Sequence, residues 1–416
     1  MRAFWQIFKL ELLSALRSKT IHIFFIVSTL WMLLGRYLLK GDDLQVYQLS
    51  VRYLFGVVFC VVIVALGSAA AGAVANDRVA KRLQLTLIRP IPRFVIALAR
   101  NLALTLIGGC VLFSALVLLW ACGGRGRVCD KVYAPTLENP RVEALNMFDE
   151  LCKAKKEFRD DVEKVGKREV LKYLESLVRD KYVTIDSAKS VFWAFDSVPA
   201  NIKDAKVRVR FDDSWGRTGS ISGMFIFRSL KGIVDNPVKS VSYVKLDRQS
   251  SEDNPLNRLI FVNNSNASLS IQPRNDLNIL IPADSFAHNA FRAWLVMSLS
   301  LLCVVSLGVF LGSCLGRGVA VFALISMLCV MVVSPATIEE YPDPLNANSV
   351  TRFSVLLTEF SSALTSPIDR FEPVGALESD ECIEWSEVGN AAITGVISLI
   401  FFSLCAGFVM PRKSDV

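Results

Sequence analysis

Six apolar runs dominate the chain, at residues 21–39, 53–75, 102–121, 291–311, 319–333 and 391–409. A helix needs about 20 apolar residues to cross a hydrocarbon core of about 30 Å, where no water satisfies exposed backbone groups. The run at 319–333 is the shortest of the six. With 52% hydrophobic residues and a mean hydropathy of +0.42, the 416-residue chain is too apolar for a soluble enzyme of this size. The expected fold is therefore an α-helical polytopic membrane protein of six spans. A secretory signal fits the first run poorly, because the run is long, lacks a small-residue cleavage site and ends in Arg36-Tyr37 before another span.

Lysine and arginine set the orientation. With both termini cytoplasmic, the inner segments hold Arg2, Lys9, Arg17 and Lys19, then Arg78, Lys81, Arg82, Arg89 and Arg93, then Arg317, then Arg412 and Lys413. The outer segment 335–390 instead carries eleven acids against Arg352 and Arg370. Much of the net charge of +7 is thus topological and calls for no nucleic-acid partner.

Five regions follow. Residues 1–122 hold an N-terminal amphipathic helix, spans one to three and a charged cytoplasmic loop. Residues 123–289 form an extracytoplasmic domain, 290–334 spans four and five, 335–390 an acidic outer segment with a short amphipathic helix at 352–366, and 391–416 span six and a cytoplasmic tail. Within 123–289 the period changes. Val142, Leu145, Phe148 and Leu151, then Val170, Leu171, Leu174 and Leu177, recur at helical spacing over 139–182. Runs at 206–211, 221–229, 240–246, 258–264, 268–273 and 277–282 alternate apolar and polar residues between Gly, Asn, Asp and Pro. The expectation is an α+β domain, a helical stalk followed by a jelly-roll-like antiparallel β-sandwich.

Of ten cysteines, six lie within or at the ends of apolar runs, where a thiol is a small hydrophobe. Cys129 and Cys152 lie in the outer domain, where an oxidising compartment permits a disulfide; Cys382 competes as a partner, and buried free thiols are the alternative. With two histidines, His22 and His288, the chain builds neither a His-based triad nor a His metal cluster. It has no Gly-x-x-x-x-Gly-Lys-Ser/Thr loop, so no ATP site of that kind and no enzymatic activity are expected, nor any cofactor. Asn263-Asn264-Ser265 and Asn266-Ala267-Ser268 match glycosylation acceptors only weakly.

An amphipathic N-terminal helix (Phe4, Trp5, Ile7, Phe8, Leu12 and Leu16 opposite Lys9, Glu11, Arg17 and Lys19) precedes two spans and then the segment NDRVAKRLQLTLIRPIPR, residues 76–93. This arrangement resembles the permease subunits of type 2 ABC exporters. In that family the loop after the second span reads Glu-x-x-x-Gly-Thr-Leu…Pro-Val-Ser-Arg before a Gly-Lys. Here Asp77 takes the place of the Glu, Lys81 and Arg82 that of Gly-Thr, Pro90-Ile91-Pro92-Arg93 that of Pro-Val-Ser-Arg, and Ala99-Arg100 that of Gly-Lys. SFAHNAFRAW (285–294) and GSCLGRGVA (312–320) resemble members that insert a large periplasmic domain between the third and fourth spans.

The resemblance implies a coupling loop of Asp77, Arg78, Lys81, Arg82, Leu83, Leu87, Arg89, Pro90 and Arg93 that seats in a separate ABC-type ATP-binding subunit. Physics agrees with a short helix opened by Asp77 on its N-terminal dipole, apolar at Leu83, Leu85, Leu87 and Ile88, and stopped by Pro90 and Pro92. A basic loop lying on anionic lipid is the plainer alternative. The family further implies a homodimer, or pairing with a related permease half, in a bacterial inner membrane. The expected function is ATP-driven export of a substrate the sequence does not name. The alternative is a non-transporting complex that relays ATPase motion through the outer domain to a periplasmic partner.

Overall fold

The computed structural model describes residues 2–17, 19–38, 43–79, 92–121, 127–137, 140–154, 162, 167–179, 181–199, 202, 204–213, 220–228, 230–237, 241–248, 257–266, 268–338 and 373–409. The chain divides into a unit of residues 1–129, 284–338 and 357–416 and a second of residues 130–283 and 339–356.

The first unit is helical. Its elements are α1 (Arg2–Leu16), α2 (Lys19–Leu38), α3 (Asp43–Leu49), a π-helical turn Ser50–Phe55, α4 (Gly56–Val79) and α5 (Arg93–Leu119). Four more belong to it: α9 (Phe286–Cys314), α10 (Arg317–Ile338), the short α11 (Pro373–Glu378) and α12 (Trp385–Val409). Among the described residues four stretches are long and apolar enough to cross a membrane: Val46–Asn76, Arg93–Leu119, Phe286–Cys314 and Trp385–Val409. The first and fifth expected spans are also helices, α2 and α10, of 20 and 22 residues, whose described apolar stretches are Phe25–Gly35 and Arg317–Cys329.

Helix α9 is the hub. Its Ala293, Met297, Leu301 and Val305 are buried in one core with Val62, Leu66 and Ala70 of α4, Leu112 and Leu116 of α5, and Val388 and Ala391 of α12. Backbone closeness sets the α4–α9 contact. A Cβ added at Gly308 would stand 2.6 Å from the Gly67 carbonyl oxygen, and one at Gly312 would stand 2.2 Å from that of Ala71. Small residues four apart on one helix meeting small residues on another is how apolar helices pack where lipid tails give no hydrophobic drive. Polar links support the same core: Trp294 Nε1 donates to the Gly109 carbonyl at 2.8 Å, and Asn101 Nδ2 to Ser403 Oγ at 3.1 Å. The outward face of α12 stays bare, with Ile397 62% and Phe408 85% exposed. A strip of that size left uncovered marks a lipid-facing or partner-facing surface.

The second unit is a curled antiparallel sheet with a helix pair. Two helices, α6 (Pro140–Ala154) and α7 (Lys167–Arg179), pack through Ala144, Phe148, Val170, Leu174 and Val178. The strands are β1 (Val128–Tyr133), β2 (Val183–Ile185), β3 (Ser190–Ala194), β4 (Ala205–Arg210), β5 (Asp212–Asp213) and β6 (Ser220–Phe227). They continue with β7 (Leu230–Pro237), β8 (Val241–Arg248), β9 (Arg258–Asn263), β10 (Leu269–Ile271), the one-turn α8 (Pro273–Asp276) and β11 (Leu277–Ser285). Eight strands run in the order β1-β11-β4-β8-β7-β6-β9-β3, and β2-β10-β5 form a small second sheet.

Register explains the curl. Strands β7 and β8 pair only at Leu230–Arg248 and Lys231–Asp247, whereas β4–β8 and β6–β7 pair along six and eight positions. The sheet bends at that short seam, so Val207, Val209 and Val244 on one side share a core with Phe225, Phe227 and Phe261 on the other. The ring centroids of Phe261 lie 4.8 Å from Phe211 and 4.7 Å from Phe225. Asn263 of the glycosylation-like tripeptide is fully buried, its amide donating to the Ile185 and Asp186 carbonyls. It is a structural side chain with no access for a sugar.

The glycine contacts make a prediction of opposite signs at two sites. Gly312→Leu should lower the melting temperature of the detergent-solubilised protein, overpacking of this kind costing about 1–3 kcal/mol. Gly389→Ala, in α12 with nothing within 4 Å of the added Cβ, should raise it, since alanine in a helix is favoured by about 1 kcal/mol.

Candidate functional site

The coupling-loop residues divide between described and undescribed parts of the chain. Asp77 and Arg78 lie in the last turn of α4, which runs unbroken to Val79; Asp77 therefore does not open a separate helix. The reason is local: Ala73-Val74-Ala75 carries no glycine or proline to end the helix earlier, so it continues past Asn76. Lys81, Arg82, Leu83, Leu87, Arg89 and Pro90 lie outside the described residues, as do the amphipathic helix expected at 352–366 and Arg412 and Lys413. Arg93 begins α5, with Pro92 preceding it in extended conformation.

What the structure adds is the docking of α1 on the first turns of α5. Ile7, with Phe4 and Phe8 around it, packs on Ile96 and Ala99 in the first turns of α5. One turn further along α1, Glu11 meets Arg100: the guanidinium donates to Oε1 at 2.6 Å, with the arginine side chain 8% exposed and the glutamate 26%. An ion pair this sheltered from water is screened little and fixes geometry, because separating it leaves a charge without its partner in a poorly solvated place. The amphipathic pattern of α1 was readable; the identity of Arg100 as its partner was not, because the two residues are far apart in sequence.

Beside the pair opens a cavity of about 790 Å³ between α1, α4, α5 and α10. Glu11, Asn76, Arg100 and Arg317 line one end, and Leu104, Ile107 and Val111 line its depth. It exists because α4 turns Ala65, Ala69, Gly72 and Ala73 toward it, residues too small to fill the space.

A second polar cluster gathers at the N-terminus of α9. Arg292 donates to Asp284 Oδ2 at 2.6 Å and to the Ile383 carbonyl at 3.1 Å, and His288 Nδ1 lies 2.9 Å from Asp284 Oδ1. Asn289 is fully buried; it donates to the Glu381 carbonyl at 2.7 Å and accepts from the Ile383 amide at 2.8 Å. Nearby, Tyr47 donates to the Leu377 carbonyl at 2.8 Å, and the Arg127 guanidinium sits 3.8 Å above its ring while pairing with Asp380 at 2.7 Å. Asp380 holds a left-handed φ of 56°, a conformation that persists only when surrounding contacts demand it. The segment 377–384 is thus clamped between α3 and α9. The links of Asn289 to Glu381 and of Tyr47 to Leu377 span 92 and 330 positions along the chain, so no local pattern announces them.

Cys129 is buried in the core of the helical unit, and Cys152 is half-buried in the α6–α7 pair. Among the described residues no group of three His, Cys, Asp or Glu side chains is arranged to hold a metal. No family model matches the chain, and neither a curated protein nor a solved structure gives a match.

The clamp has a pH signature. The hydrogen bond with His288 holds the Asp284 carboxyl below its ordinary range; burial opposes this, while the Ser285 amide and Arg292 add to it. A depressed folded-state pKa stabilises the fold fully above the unfolded value of about 3.9, and that contribution is lost as pH falls through the folded value. The melting-temperature gap between wild type and Asp284→Asn should therefore be constant above about pH 5 and close below it. A gap that stays constant down to pH 2.5 would remove Asp284 from the clamp.

Proposed function

We propose that the chain is the transmembrane permease subunit of an ATP-driven exporter, coupling hydrolysis by a separate ABC-type ATP-binding subunit to outward movement of a substrate. In this reading α2 and α10 cross the membrane with the four longer stretches, giving six spans, and the β unit is an extracytoplasmic jelly-roll-like sandwich. The protein sits in a bacterial inner membrane with both termini cytoplasmic, and it acts as a homodimer or beside a related permease half.

The observation that carries the proposal is the bolting of α1 to the start of α5 through Ile7, Ile96, Ala99 and the Glu11–Arg100 pair. The basic connection 80–91 ends two residues before Arg93, so α1 braces the helix that emerges from it. A push on that connection then moves α5 and α1 as one rigid element, as coupling by rigid-body motion requires.

One observation favours the second reading, in which ATPase motion is relayed to a periplasmic partner without transport. The chain passes from β11 straight into α9 with no loop residue between Ser285 and Phe286. In that reading a motion of α9 enters the β unit through continuous backbone.

Replacing Leu83 and Leu87 with Asp should abolish co-purification of an ATPase while the protein still inserts in membranes. Undiminished ATPase recovery would sink the docking role. Where the partner stays bound, turnover of cargo into inverted vesicles separates transport from relay.

A further inference from the structure

We infer that the cavity between α1, α4, α5 and α10 binds one anionic phospholipid of the bilayer, its phosphate at the Arg317 end and an acyl chain running inward along α5. The inference rests on the membrane reading above and not on any ATPase.

The lining changes character in the order that a phospholipid does. At the mouth stand Arg317, Asn76 and the Glu11–Arg100 pair. Because Glu11 and Arg100 neutralise each other at 2.6 Å, Arg317 is the net charge of the lining, and its side chain lies over Gly72, with Nε 3.6 Å from where a Cβ would stand there. One turn further in along α4 from Gly72, Ser68 lines the cavity, and its buried Oγ has no hydrogen-bond partner among the described residues. A hydroxyl at that depth is placed to donate to a glycerol ester carbonyl. Beyond it Leu104, Ile107 and Val111 form one apolar face of α5. From Arg100 to Val111 that face runs about 16 Å at a rise of about 1.5 Å per residue, a length that takes an extended chain. The volume of about 790 Å³ falls within the range of about 300–1,000 Å³ of ordinary ligand pockets.

Charge and shape select among occupants. A free phosphate satisfies Arg317 and leaves the apolar depth empty, and a zwitterionic lipid brings an ammonium that gains nothing there. Basic pockets between helices at one membrane face are characteristic sites for acidic headgroups.

The full-length protein is reconstituted in vesicles of phosphatidylglycerol and phosphatidylcholine in equal parts, extracted in mild detergent and weighed intact. One phosphatidylglycerol per chain should be retained in preference to phosphatidylcholine. Arg317→Gln and, separately, Ala69→Phe, which fills the cavity, should each reduce retention at least tenfold, whereas Arg317→Lys should keep it. Equal retention of the two lipids, retention unchanged in both disabling variants, or displacement of the lipid by millimolar inorganic phosphate alone would each overturn the inference. Alkaline carbonate washing separates its failure from that of the membrane reading: protein released by carbonate sinks the membrane reading, while protein that stays with membranes yet shows no lipid preference sinks only this site.

Discussion

The approach of α4 and α9 at Gly67, Ala71, Gly308 and Gly312 is the constraint on which the helical unit depends. With backbones this close, the side chains flanking the contact join one buried core, and α9 becomes the axis round which α5 and α12 are arranged. The same property of α4 has a second consequence. Its run Leu66-Gly-Ser-Ala-Ala-Ala-Gly-Ala is small on every face, so the face turned to α9 closes tightly and the face turned to α1 and α10 leaves a void. One stretch of small residues thus produces both a close helix–helix contact and the cavity.

Polar groups show where the unit is made specific. Apolar helices slide on one another at little cost, whereas a buried amide or guanidinium with fixed partners admits one register, since an unmet polar group in such surroundings costs about 1–3 kcal/mol. Asn101 with Ser403, Trp294 with Gly109, and Asn289 with the backbone at 381 and 383 each pin a different pair of segments. Asn289 meets both the donor and the acceptor of its amide in a segment that holds no regular helix, which replaces the backbone hydrogen bonds that segment cannot make for itself.

Local pattern carried much of this to the reader of the sequence. The four longest helices announce themselves as unbroken apolar runs, while the helix pair at Phe148 and Leu174 and the strands β4, β6, β8, β9, β10 and β11 do so by period, because burial on one face forces apolar residues to recur at 3.6 or at 2. What escaped was nonperiodic. Strand β1 follows a glycine- and arginine-rich stretch of sequence and begins with Val-Cys-Asp-Lys, where Asp130 is buried against Lys206 at 2.9 Å, so its inward residue is a charge. Strand β7 reads Leu-Lys-Gly-Ile-Val-Asp-Asn-Pro, a turn-like composition; Gly232 is tolerated because a Cβ there would meet the Lys245 carbonyl at 2.6 Å on the neighbouring strand. In both cases the pairing partner, not the strand itself, decides the conformation.

The candidate site divides along the same line. Leucines and prolines ahead of Arg93 are visible in any reading of the loop, and so is the amphipathic face of α1; the packing of α1 on Ile96 and Arg100 is a tertiary fact. It changes what the loop can do. Were α1 loose on a membrane surface, a force on residues 80–91 would be spent tilting a single helix. Because the Glu11–Arg100 pair resists separation, α1, α5 and the wall of the cavity that both contribute to must move together, and the volume available to an occupant then depends on the position of α10 relative to that rigid pair. In the proposed reading, a push on the loop therefore reaches the cavity as well.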